Sequence, residues 1–145
     1  MAIIRWSDLG ATTTYLSAEL NALANAANKI GAAIDNTVGK DTYMLLELYL
    51  PIQGVARDAG ASVRLFLIKS VDGTNYEFGS DALDPPSSAW VTNFTLDADT
   101  AARYVAVDIA IPPCKFKLLV TNETGQALAG TLNTLKYRTY NLEVG

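Results

Sequence analysis

The residues able to carry chemistry are few, and their spacing is informative. Asp97 and Asp99 stand two apart in Leu96-Asp97-Ala98-Asp99-Thr100, and two loop carboxylates can contribute to a calcium site. Such a site needs six or more oxygens, and the helix–loop–helix calcium pattern is absent, so turn or capping use is the better reading. Asp72-Gly73-Thr74-Asn75 likewise reads as a turn before it reads as a calcium loop. There are 15 acidic residues, and a glycosidase needs two facing across a cleft, yet nothing in the sequence marks a particular pair. Histidine is absent, which removes the commonest general base and metal ligand and any Ser-His-Asp or Cys-His centre. The one cysteine, Cys114, permits no internal disulfide and no cysteine-based zinc site, and reads as a small inert core or turn residue. No glycine-rich phosphate loop occurs. On these grounds the chain is expected to be no enzyme and to need no cofactor.

Aromatic side chains remain. Tyr76, Phe78 and Trp90 flank a stretch, 79–89, that is poor in regular structure and contains Pro85 and Pro86. Aromatics on a β framework stack on sugars or anchor protein interfaces, and otherwise line the rim of a core. Ile3, Ile4 and Trp6 form a second apolar group near the N-terminus. These eight residues are the candidate interface positions.

The elements that must position them follow from hydrophobic periodicity. The 145 residues suit one domain, with half of them apolar and 18% charged. Residues 1–14 read as an extended arm, pairing with the chain's own sheet or reaching a neighbouring subunit. Leu16, Leu20, Leu23, Ala27 and Ile30 recur at helical spacing after Ser17, a good cap, and before Gly31, so a helix is expected within 15–31. Residues 42–145 then read as strands. Residues 43–50 alternate but are apolar on both faces, with Glu47 the one charge. Further strands are expected at 63–71, 90–96, 104–111, 115–121 and 131–141. Turns separate them without βαβ alternation, which predicts a mainly β fold, an antiparallel β-sandwich of jelly-roll type.

The net charge of -4 disfavours phosphate backbones and anionic membrane surfaces, so neither nucleic acid nor membrane is an expected partner. No signal-peptide pattern and no run near 20 apolar residues is present, so synthesis and retention in a cytoplasm are expected unless the chain leaves within a larger particle.

Several pieces, in order, resemble tailed-bacteriophage virion structural proteins. They are Trp6-Ser7-Asp8-Leu9, Tyr15-Leu16-Ser17 with Leu20-Asn21-Ala22-Leu23-Ala24-Asn25, Leu46-Glu47-Leu48, and Ser70-Val71-Asp72-Gly73-Thr74-Asn75-Tyr76. Pro112-Pro113-Cys114-Lys115-Phe116-Lys117, Asn122-Glu123-Thr124-Gly125 and the stretch Asn133 to Asn141 complete the set, with Cys114 where a tight turn would favour glycine. The resemblance implies a capsid cement or decoration protein on the outer surface of the phage head. Its partners would be the major capsid protein and further copies of itself, as dimer or trimer. The alternative is a carbohydrate- or receptor-binding β-sandwich module of a phage tail or fibre.

Overall fold

A computed structural model describes all 145 residues. The strands are β1 (Ile4–Trp6), β2 (Thr13–Leu16), β3 (Asn28–Ile30), β4 (Ile34–Asp35), β5 (Tyr43–Leu50) and β6 (Ser62–Ser70), followed by β7 (Trp90–Thr95), β8 (Arg103–Ala110), β9 (Lys115–Glu123), β10 (Thr134–Tyr140) and β11 (Leu142–Val144). All pairings are antiparallel. One sheet has the order β2-β10-β5-β8, and the other runs β3-β9-β6-β7 with β4 also on β9.

The two sheets share one core. Met44, Leu46, Leu48, Leu50, Ile109 and Leu135 enter it from the first sheet, and Val63, Leu65, Leu67, Phe94, Phe116, Leu118 and Val120 from the second. Alternation along each strand produces this sorting, since successive side chains point to opposite faces. Residues 43–50, 62–70, 103–110 and 115–123 therefore lie close to where their patterns put them.

The expected helix within 15–31 does not form. A single 3-10 turn, Ala18–Leu20, is followed by irregular chain and then β3. Ala22 and Ala26 take positive φ values of 57° and 65°, which no α-helix accommodates. The asparagines explain the choice, because their side chains offer the backbone competing hydrogen bonds. Asn25 Oδ1 accepts from the Gly125 amide at 2.9 Å, and Asn21 Oδ1 from Asn133 Nδ2 at 2.9 Å. The main chain bonds across the fold instead of along itself, from Ala22 N to Ala129 O and from Ala26 N to Asn122 O. Leu20 and Leu23 still reach the core, so the apolar spacing served burial without a helix.

Residues 1–14 run beside the C-terminal segment of the same chain. β1 pairs with β11, Ser7 N donates to Asn141 O, and Gly10 N donates to Thr139 O.

The second sheet is covered on both sides. Phe66, Ile68 and Leu119 point away from the main core, yet are buried with Ala89 beneath the 71–89 segment, where Tyr76 and Ile30 pack against them. Asp81 fixes this cover by accepting from the Ile30 amide at 2.9 Å and pairing with Lys29 at 3.0 Å. The stretch read as a long unstructured loop is thus a lid on a sheet face. Asp72 folds the turn leading into it, accepting from the amides of Thr74 and Asn75 at 2.8 and 2.7 Å, which holds its carboxyl well below the usual range.

Tyr15 joins the sheets at one edge. Its hydroxyl donates to Ala32 O at 2.7 Å and accepts from Leu118 N at 3.0 Å, and burial pushes its pKa up to about 12. Gly31 makes room for it, since a Cβ there would lie 2.3 Å from the ring. Tyr15→Phe leaves the Leu118 amide without its partner and should cost about 1–2 kcal/mol, read from a denaturant melt. An unchanged melt would mean that this amide is served otherwise.

Candidate functional site

The first sheet contrasts with the second because no segment of the chain caps its outer face beyond Trp6 at one end. The register sets out four rows of side chains there. Tyr140, Tyr43 and Ala110 form one row; Arg138, Leu45 and Asp108 the next; then Lys136, Glu47 and Ala106; and finally Thr134, Tyr49 and Tyr104. The two end rows are aromatic and the two middle rows are charged, with Leu45 between Arg138 and Asp108, and Lys136 directly beside Glu47. Tyr43 and Tyr49 are six residues apart on one strand, a separation of about 20 Å.

At one end, Tyr43 and Tyr140 stack with ring centroids 5.3 Å apart, and Trp6 meets both edge-on at 5.5 and 5.4 Å. The Tyr140 hydroxyl donates to Asp108. Partial burial, then that carboxylate, push the Tyr140 pKa up to about 12. At the other end, Tyr49 and Tyr104 stack at 4.5 Å, and Tyr104 is 70% exposed. Between them lies a depression of about 270 Å³ lined by Thr12, Leu45, Glu47, Ala106, Lys136 and Arg138. Arg138 is steadied by donating its Nε to Gly10 O at 2.7 Å. Such a surface offers aromatic faces for stacking and fixed donors and acceptors between them.

The eight residues expected from sequence do not converge here. Ile3, Ile4 and Trp6 lie on or next to β1, at 64%, 70% and 60% exposure, and only Trp6 reaches the aromatic row. Tyr76, Phe78, Pro85, Pro86 and Trp90 belong to the lid side of the other sheet. Tyr76 packs there under Lys117, whose Nζ lies 4.3 Å from the ring centroid, while Trp90 Nε1 donates to Asn93 Oδ1 at 2.9 Å. Tyr43, Leu45, Glu47 and Tyr49 lie within the 43–50 segment, expected from its pattern to be a strand apolar on both faces. The signal that marks them is that this second apolar face has no covering element beyond Trp6.

Asp97 and Asp99 serve a turn and an ion cluster. Asp99 Oδ1 accepts from the amides of Thr100 and Ala101, while Asp97 pairs with Arg103 at 2.7 Å and Arg57 at 3.1 Å. Hydrogen bonds from Arg103, then Arg57, lower the Asp97 pKa from 3.8 to about 2. A carboxyl depressed on folding stabilises the fold above its unfolded pKa, and that contribution is lost as pH falls through the folded value. Acid unfolding should therefore steepen between pH 3.8 and about 2, and Asp97→Asn should flatten that limb when followed by circular dichroism. A variant with an unaltered acid limb would show that other carboxyls control it. No group of three or more His, Cys, Asp or Glu residues is arranged to hold a metal ion. No helix is long and apolar enough to cross a membrane.

No family model matches the chain. No curated protein matches it either. Among solved structures it aligns with the enzymatically active domain of bacteriophage CBA120 tailspike protein 4, at 12% identity and a TM-score of 0.37, over 99% of this chain and 19% of that one. The chain thus spans about a fifth of the length of the structure it matches. A likeness of that size transfers neither fold nor function. The expectation that the chain is no enzyme is corrected to an open one: the structure it aligns with is an enzymatically active domain.

Proposed function

We propose that this chain is a carbohydrate-binding β-sandwich module of a tailed-phage particle, associated with its tail or fibre, and that the outer face of the first sheet is its glycan site. The sheet orders β2-β10-β5-β8 and β3-β9-β6-β7 support the jelly-roll form of the sandwich. The observation that carries the functional reading is the open face itself. Its sister sheet buries its apolar outer residues under a lid, whereas this one leaves two tyrosine clusters bracketing a charged, hydroxyl-matching centre. Sugars present apolar C–H faces and a ring of hydroxyls, and this surface has a counterpart for each.

Tyr104→Ala removes the most exposed stacking ring of the bracket and should weaken oligosaccharide binding about tenfold or more. A glycan array followed by calorimetry on the best hit checks this. No signal on an array of bacterial surface glycans overturns the reading.

One feature favours a second reading, attachment to a virion protein by the β1–β11 ribbon. Ile4, Trp6, Leu142 and Val144 are 46–70% exposed on it, and a two-stranded ribbon gains little stability alone. A capsid cement role, with the major capsid protein and further copies as partners at the head surface, would use this ribbon. Copy number per virion, by quantitative mass spectrometry, separates the two: hundreds of copies favour the head, a dozen or fewer the tail.

A further inference from the structure

The charges at the centre of the open face are unequally placed. Lys136 and Arg138 sit two apart on β10 and face the same side, between β2 and β5 in the sheet. Neither takes part in any of the chain's six ion pairs. Arg138 spends its Nε on Gly10 O and directs Nη2 toward Leu9 O at 3.4 Å, which leaves Nη1 free. The Lys136 ammonium makes no hydrogen bond to the protein, although Glu47 is its cross-strand neighbour. Two unpaired cations on one half-buried strip stand out in a chain of net charge -4.

The acidic groups nearby are two. Asp108 is engaged by the Tyr140 hydroxyl, and Glu47 lies on the β5 side of Lys136. Toward β2 the neighbours are uncharged, Thr12 on the depression and Thr14 paired with Lys136. The local field on that side is positive, and a guanidinium with a free edge beside an ammonium matches a carboxylate.

We propose that the saccharide bound here is acidic, carrying a carboxylate that lies between Lys136 and Arg138 on the β2 side, while Glu47 accepts hydroxyls of the same sugar chain. This inference rests on the glycan-binding reading above and names its ligand class. Tyrosine stacking supplies affinity for any sugar, and the cation pair supplies the choice of an anionic one. Since the pair is partly exposed, the preference fades as salt screens it.

The experiment is calorimetry with two probes of equal length, a neutral glucan hexasaccharide and an oligogalacturonate hexasaccharide, at low salt and at 0.5 M NaCl. The quantity read is the ratio of their affinities. The native chain should prefer the uronate by about tenfold, with a smaller ratio at high salt. Lys136→Gln should bring the ratio near one, whereas Tyr104→Ala should weaken both probes and leave the ratio standing. A thermal melt of each variant establishes that it is folded. Equal affinities in the native chain, or a uronate preference that survives Lys136→Gln, would overturn the acidic-ligand assignment while leaving a glycan site in place. If neither probe nor any arrayed glycan binds the native chain, both the assignment and the reading beneath it fail.

Discussion

Arg57→Ala is expected to lower the melting temperature by about 10 °C, the equivalent of about 3–4 kcal/mol in a domain of this size. The Arg57 side chain has no solvent exposure. Its Nε donates to Asp97 O at 3.1 Å, and its Nη2 donates to Asp97 Oδ1 at 3.1 Å and to Ala101 O at 3.0 Å. Its own amide donates to Asp99 O at 3.3 Å. One side chain thus pins the connection between β7 and β8 against residues 51–61. Truncation orphans two carbonyls and leaves a void where the guanidinium lay, and both effects act in the same direction. Arg57→Lys should recover little, because an ammonium on a shorter reach cannot meet acceptors on both sides of the loop. Differential scanning calorimetry checks this, and a shift of two degrees or less would show that the loop holds without its clamp.

Phe116→Ala should cost about 3–5 kcal/mol, the usual range for removing a wholly enclosed phenylalanine. Phe116 is 0% exposed, sits on β9 opposite Ile34 of β4 and Lys69 of β6, and belongs to the cluster that both sheets share. Strands on both sides of β9 fix the position of its backbone, so the cavity can collapse only in part. Phe116→Leu should lose much less, since most of the volume is kept. Urea unfolding gives both values with the slope as a control. A loss under 1 kcal/mol for the alanine variant would mean that the core rearranges around the gap.

The strand framework was legible because residues 43–50, 62–70, 103–110 and 115–123 are apolar runs or alternations of strand length bounded by turn residues, and that shows in the order of the residues. The segment 15–31 misled for a physical reason. Its leucines do face one interior, but the asparagines and two alanines with positive φ let the chain cross the sheets' edge as irregular structure. The short strands β2, β3, β4 and β11 went unread because two to four residues carry no measurable period. The open face was hidden for another reason. Its rows take one residue each from 43–50, 103–110 and 134–140, and only register brings Tyr49 beside Tyr104 or Lys136 beside Glu47. The exposed apolar groups at 1–14 and 76–90 were visible as composition, but not that the second serves mainly as a lid.

The pairing of β1 with β11 has a topological consequence. Ile3 N donates to Gly145 O at 3.3 Å, and Gly145 N donates back to Ile3 O at 3.0 Å, so residues 3 and 145 are neighbours. Residues 3 to 145 therefore trace nearly a closed ring, with a seam between those two residues. A short Gly/Ser bridge across that seam, with new ends cut at the exposed 72–75 turn, should give a circular permutant that keeps both sheets. By the same geometry, the domain could be spliced into a surface loop of another protein with both junctions emerging side by side, and its open sheet face would be left untouched.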